Sequence, residues 1–125
     1  MIADGFLPAG DQRVILETVA GLERAGFTEA DRMQLRFSFE APALRVAVDL
    51  AGTLRSGRHN RVQVRPAARR LLTSARWNVL VTTPPAPLLP AVIELWSEHM
   101  QDAAGVHAGC AIVGWQPIVS RPLGP

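Results

Sequence analysis

The sequence contains neither lysine nor tyrosine, and its only cysteine is Cys110. A single cysteine excludes a disulfide within the chain, so we expect a reducing, cytoplasmic setting. No apolar run approaches the ~18 residues of a membrane-spanning helix. The N-terminal segment has an acid at Asp4 and lacks the cationic start of a signal peptide. We therefore expect no membrane partner.

Acidic residues are also absent from the whole stretch between Leu50 and Ile93. That stretch holds seven of the thirteen arginines, so its formal charge is +7, while the rest of the chain carries −5. Such asymmetry indicates a basic surface for an anionic partner. The candidate partner-binding residues are Arg55, Arg58, Arg61, Arg65, Arg69, Arg70 and Arg76.

Length and composition indicate one globular domain. Hydrophobic residues make up 48% of the chain and charged residues 19%, which is typical of folded proteins and not of disordered ones. A chain of 125 residues leaves little material for a second core. We assign residues 11–119 to the domain, 1–10 to an irregular arm and 120–125 to a tail.

Two segments alternate apolar and polar residues with the period of a half-buried strand. They are residues 33–40 and residues 77–82. Because the side-chain period of a strand is two, Phe37, Phe39 and Trp77 should lie on the inner face of a sheet, against the helices. We expect both strands to be central, and the three tryptophans of the chain to anchor the core.

Three segments carry apolar residues at helical spacing. The first runs from 12 to 25, between an N-cap at Asp11 and a glycine at position 26. The second runs from 42 to 56, with a proline in its first turn. The third is expected to start near Pro87 and to end near Gly105.

Two more strands, at residues 61–65 and 110–119, are expected at the sheet edges because Pro66 ends one and Pro117 interrupts the other. A helix is therefore followed by strand, helix, two strands, helix and strand. This order predicts an α+β fold, a ferredoxin-like βαββαβ sandwich with antiparallel strand order 4-1-3-2 and an extra N-terminal helix.

No sequence motif indicates catalysis, metal binding or nucleotide binding. His99, His107 and Cys110 lack the spacing of metal ligands, and the glycine motifs that bind nucleotide phosphates are absent. No serine lies in a G-x-S-x-G motif, and Cys110 has no cationic neighbour that would activate it. We predict no catalytic residues, no cofactor and no metal.

Nucleic acid is a second candidate partner, because an arginine-rich hairpin can neutralise phosphates. The expected topology is also that of the RNA-recognition motif, in which aromatic residues of the outer sheet face stack on bases. Here the outer face carries polar residues such as Gln34, Arg36 and Asn78, which disfavours stacking. For this cluster we favour a solvated basic hairpin without a ligand over nucleic-acid binding, which stays open as the alternative.

Several short motifs follow one another from residue 10 to residue 119. A leading helix precedes the Phe37-Ser38-Phe39 strand, and an alanine-rich helix ends near Gly57; then come the V-x-V-R-P segment at 62–66, Trp77-Asn78-Val79, a proline-opened helix and Gly114-Trp115. This ordered set resembles the ribonuclease E inhibitor RraB-like family of small bacterial proteins. The chain differs from that family in carrying Val113 where an acid usually precedes the Gly-Trp pair, and in being slightly basic.

The resemblance implies a ferredoxin-like domain that binds another protein, in the family's namesake an RNA-degrading endonuclease, and lowers its activity. We therefore expect a non-enzymatic regulatory or adaptor domain with a protein partner. One alternative is a nucleic-acid-binding domain acting through residues 55–76. Another is a small-ligand or enzymatic module whose site, near Glu98, His99 or His107, forms on oligomerisation. A homodimer through edge strands is also open.

Overall fold

A computed structural model describes residues 6–56, 60–67 and 76–120, which form an α+β fold with three helices and five strands. The elements are α1 (Gln12–Arg24), β1 (Arg32–Ala41), α2 (Leu44–Arg55), β2 (Arg61–Pro66), β3 (Trp77–Thr82), β4 (Ala86–Pro87), α3 (Pro90–Val106) and β5 (Ala111–Ser120). Within these ranges no helix is long and apolar enough to cross a membrane.

The strands form one antiparallel sheet in which β1 is central. β1 pairs with β3 on one side and with β5 on the other, and β2 pairs with the far side of β3. The short β4 pairs with Arg32 and Met33 at the start of β1. The register between β1 and β5 shifts after Ser38, where Val113 is the extra residue of a bulge.

The inner face of the sheet forms the core, because alternate residues of β1 point towards the helices. Phe37 lies opposite Val81 of β3 and Trp115 of β5, and Phe39 lies opposite Val79. These side chains are fully buried. The helices cover them with a set of buried apolar residues that includes Ile15, Ala47, Leu50, Leu54, Ile93 and Met100.

The ends of the helices follow from local chemistry. α1 starts where the Asp11 carboxylate accepts hydrogen bonds from the backbone N–H groups of Arg13 and Val14, at 3.1 and 3.3 Å. The predicted start of α3 near Pro87 is wrong, because the helix begins at Pro90. A residue before proline favours extended backbone, and both Ala86 and Leu89 precede a proline and are extended.

The chain before α1, predicted to be irregular, pairs with the sheet at one point. Leu7 and Trp115 exchange backbone hydrogen bonds of 2.8 and 3.0 Å on the side of β5 that faces away from β1. The Trp115 indole Nε1 also donates to the Pro8 carbonyl at 3.0 Å. Trp115 is fully buried, whereas Trp77 and Trp96 are half-buried against the core.

Candidate partner-binding site

The outer face of the sheet points away from the helices and is formed by every second residue of its strands. Three rows cross β1, β3 and β2, and they consist of Arg36, Thr82 and Arg61; Ser38, Leu80 and Gln63; and Glu40, Asn78 and Arg65. The aromatic residues of β1 and β3 lie on the opposite face, as the alternation predicted. This surface therefore offers polar and cationic groups, without a platform for base stacking in these rows.

A groove of about 350 Å³ crosses the outer face. We call it the arginine groove, and its lining residues are Gln34, Arg36, Arg61, Gln63, Arg65, Leu80, Thr82 and Ile118. Leu80 is only 8% exposed although it lies on this face. Arginine side chains can cover apolar surface with their aliphatic stems while the guanidinium stays in water, so the groove combines an apolar floor with cationic walls.

The positions of the three arginines suit an extended anionic surface. Arg36 and Arg61 lie in one row with a single strand between them, so their Cα atoms are roughly 10 Å apart at the usual strand spacing. Arg65 is four residues from Arg61 along β2, which is about 13 Å at the usual rise per residue. Three cations at these separations match several carboxylates or phosphates better than one small anion.

The charge of the groove is not neutralised by neighbouring carboxylates. In the described part of the chain, the only ion pair joins Arg13 to Glu17 on the exposed side of α1, at 3.2 Å. Glu40 is the single acid on the five strands. It shares its row with Asn78 and Arg65, and β3 separates it from Arg65, so their Cα atoms are roughly 10 Å apart at the usual strand spacing. Three arginines against one acid leave the groove with a net positive charge, which attracts anions.

The structure brings only part of the predicted arginine set together. Arg61 and Arg65 line the groove, whereas Arg55, at the end of α2, donates to the Val62 carbonyl at 3.2 Å. Arg76 is exposed just before β3. The remaining members of the set lie outside the described residues, and they are Arg58, Arg69 and Arg70.

Arg36 joins the groove from outside the acid-free stretch. The charge pattern alone missed this residue, because Arg36 is separated from that stretch by acids at Glu40 and Asp49. The alternation of β1 was the signal for it, since that pattern places Arg36 on the outer face.

The residues considered for metal binding do not form a cluster. The His99 and Trp96 rings pack edge-to-face with their centroids 5.8 Å apart, and His107 Nε2 lies 2.9 Å from the Thr53 hydroxyl. Cys110 is half-buried, and burial raises the pKa of its thiol above the ordinary value. Among the described residues no three His, Cys, Asp or Glu side chains could hold one metal ion.

A second groove, of about 620 Å³, lies between α1 and α3 and carries the opposite charge. Glu94 and Glu98 line it, together with the amides of Gln12 and Gln101. The Ser97 hydroxyl beneath it is buried and has no hydrogen-bond partner within residues 6–56, 60–67 and 76–120. The basic groove thus lies on the sheet side of the molecule and the acidic groove on the helix side.

No protein-family model matches the chain, and neither curated proteins nor solved structures gave a match. The function is therefore inferred from the geometry and charge of the arginine groove, together with the motifs of the sequence.

Proposed function

We propose that the chain is a non-enzymatic regulatory or adaptor domain, and that the arginine groove binds an acidic surface of a protein partner. The observation that carries the proposal is that Arg36, Arg61 and Arg65 lie together on one face of the sheet. None of them forms an ion pair with a carboxylate of the described residues. Guanidinium groups form bidentate hydrogen bonds with carboxylates and are enriched at protein interfaces.

The proposal includes a ferredoxin-like arrangement of the strands. It is supported by the neighbour order β5, β1, β3, β2, with every pair antiparallel, which corresponds to the order 4-1-3-2 of the four predicted strands. In this arrangement none of the three described helices covers the outer face of the sheet, and that face is available to a partner.

Binding, and not catalysis, suits the groups in the groove. Its polar lining consists of guanidinium, amide and hydroxyl groups. None of these exchanges a proton readily near neutral pH, since arginine stays charged and amides do not titrate. General acid–base catalysis needs a group whose pKa lies near the working pH. The groove supplies recognition of anions instead.

In its finer form the proposal is that the partner is an RNA-degrading endonuclease whose activity the domain lowers. The ordered motifs from Phe37 to Trp115 support this form through their resemblance to the ribonuclease E inhibitor family. A basic groove would require an acidic segment on the enzyme. Adding the domain to the host's ribonuclease E should slow RNA cleavage, and a rate independent of added domain would contradict this form.

The general form is tested by affinity capture from host lysate with matched variants. The groove variant carries Arg36→Ala, Arg61→Ala and Arg65→Ala; the control carries Arg13→Ala, Arg24→Ala and Arg45→Ala, which are exposed helix residues. Both variants lose the same charge. We expect the same protein to be retained by the wild type and the control but lost from the groove variant. Equal retention by both variants, or no retained protein, would contradict the proposal.

A second candidate function is binding to single-stranded nucleic acid through the same groove, because its guanidinium groups suit phosphates as well as carboxylates. The test is binding of a labelled RNA at several salt concentrations. If three arginines contact phosphates, the groove variant should lower the slope of log affinity against log salt by about 2. Absence of binding at low salt would exclude this candidate.

A further inference from the structure

β2 is an edge strand, and the side of it that faces away from β3 has no strand partner among the described residues. The hydrogen bonds of the hairpin show which of its backbone groups point outward. The Ala67 N–H donates to the Arg76 carbonyl at 2.9 Å, so this pair is hydrogen-bonded. Hydrogen-bonded pairs alternate along an antiparallel ladder. Arg61, Gln63 and Arg65 therefore direct their backbone groups at β3, while Val62 and Val64 direct theirs away from the sheet.

The other side of β3 gives the same alternation independently. The Thr83 N–H donates to the Leu35 carbonyl at 2.9 Å, so the odd-numbered residues of β3 are bonded to β1. The even-numbered residues of β3 must then be bonded to β2, and they lie opposite Arg61, Gln63 and Arg65. Both observations leave Val62 and Val64 at the open edge.

One outward carbonyl of this edge is already satisfied by the protein itself. The Arg55 Nη2 donates to the Val62 carbonyl at 3.2 Å. The ladder geometry leaves the N–H of Val62 and both backbone groups of Val64 without a partner in the described chain. Pro66 has no N–H and ends the usable edge. The edge can therefore hold a short added strand around Val64.

We propose that an extended acidic segment of the protein partner binds as an additional antiparallel strand beside β2. This inference rests on the proposed function and specifies how that partner is recognised. Strand addition at a sheet edge is a recurring mode of peptide recognition, in which backbone bonds give affinity and side chains give specificity. Here the specificity comes from Arg61 and Arg65, whose side chains lie on the outer face next to the new strand.

Charge argues that this strand comes from a different protein and not from a second copy of the chain. Only registers that pair Val62 and Val64 with outward residues of the other strand make hydrogen bonds across the edge. In the antiparallel register that overlaps the strands from Arg61 to Arg65, Arg61 of each copy lies opposite Arg65 of the other. Like charges directly opposite one another destabilise a strand pair. An acidic strand reverses the sign of both contacts.

The pattern of the edge defines the partner sequence. Arg61 and Arg65 are four positions apart, with three residues between them, so the partner needs two acids with the same spacing. The two residues between them that lie opposite Val62 and Val64 share the inner face and should be apolar, while the one opposite Gln63 should be polar. Arg55 lies against the edge and adds a third cation. The partner motif is acid, apolar, polar, apolar, acid.

The test uses the full-length chain and a fluorescent synthetic peptide with the central sequence Glu-Val-Thr-Val-Glu. One derivative is N-methylated at both valines, whose N–H groups would face β2. The matched derivative is N-methylated at the threonine and the second glutamate, whose N–H groups would face away. Charge and the number of methyl groups are the same in both.

We expect methylation of the valines to weaken binding at least about tenfold, because it removes the N–H donor to the free Val64 carbonyl and places methyl groups between the two strands. The other pattern should change the affinity less than about threefold. Equal affinities of the two derivatives, or no binding of the parent peptide, would overturn strand addition. If they are equal while the groove variant still loses the captured protein, strand addition fails and the proposed function stands.

A variant of the protein checks the side-chain part. The double variant Arg61→Ala, Arg65→Ala should bind the parent peptide at least about tenfold more weakly than the wild type. The double variant Arg24→Ala, Arg45→Ala should bind it with unchanged affinity. In the wild type, bound peptide should slow amide hydrogen exchange at Val62 and Val64. Unchanged affinity in the first variant, or unchanged exchange at both valines, would contradict the proposal.

Discussion

The two edges of the sheet differ in how their backbone groups are satisfied. At the β5 edge, Leu7 pairs with Trp115, and the Trp115 indole is bonded to Pro8. At the β2 edge, only the Val62 carbonyl has a described partner, and that partner is a side chain. Among the described residues, the chain therefore pairs with the β5 edge at one point and with the β2 edge at none, and we call these the closed and the open edge.

The open edge is also the cationic one, and this combination has two effects. Exposed edge strands risk pairing with other copies, and proteins commonly block this with charged residues and prolines. Arg61, Arg65 and Pro66 fit that role. The same arginines favour an acidic strand, so the residues that prevent self-association would also select the partner.

The largest effect is expected from removing the tryptophan of the closed edge. Trp115→Ala should lower the free energy of unfolding by about 3–5 kcal/mol, because the side chain is fully buried and its loss leaves a cavity. Trp77→Ala, next to the open edge, is the matched change and should cost less since Trp77 is half-buried. Urea denaturation measures both. An equal loss would break the contrast between the edges.

A smaller effect is expected from adding a side chain at Gly114, where the arm packs closely against β5. A Cβ at Gly114 would overlap the Leu7 carbonyl and lie 2.7 Å from the Phe6 Cβ. Gly114→Ala should therefore displace the arm and cost about 1–3 kcal/mol. Gly52→Ala is the control, because its Cβ would meet nothing within 4 Å in α2 and should stabilise the helix by roughly 0.5–1 kcal/mol. Thermal unfolding measures both variants, and a melting temperature that shifts in the same direction in both would contradict this expectation.

The smallest effect on stability is expected at the open edge. Arg61→Ala and Arg65→Ala should each change the free energy of unfolding by no more than about 0.5 kcal/mol, since both side chains are exposed and neither has an ion-pair partner among the described residues. Chemical denaturation checks this. A loss of several kcal/mol would mean that these arginines hold the fold together and are not reserved for a partner.

Much of the fold could be predicted because strand alternation and helix periodicity are local signals. The bounds of β3 agree with those expected from residues 77–82, and the inner position of Phe37 and Phe39 followed from the period of two. The order of helices and strands was also predicted, apart from β4, where the prolines favour extended backbone over an early helical turn.

The pairing of the arm with β5 could not be predicted, because Leu7 and Trp115 are far apart in sequence and nothing local connects them. Gly114 was visible only as part of a motif, and its physical reason, the close approach of Leu7 and Phe6, needs the tertiary structure. The candidate site was half visible for the same reason. The charge asymmetry pointed to Arg61 and Arg65, but bringing Arg36 beside them requires the strand order.

The partner is expected to bind at the outer face and the open edge of the sheet. Amide hydrogen exchange of the full chain, with and without the protein that the arginine groove retains, tests it most directly. We expect slower exchange at Val62 and Val64 in the complex, with the exchange of the Leu7 and Trp115 amides unchanged. Slower exchange confined to α1 and α3, with β2 unaffected, would contradict it.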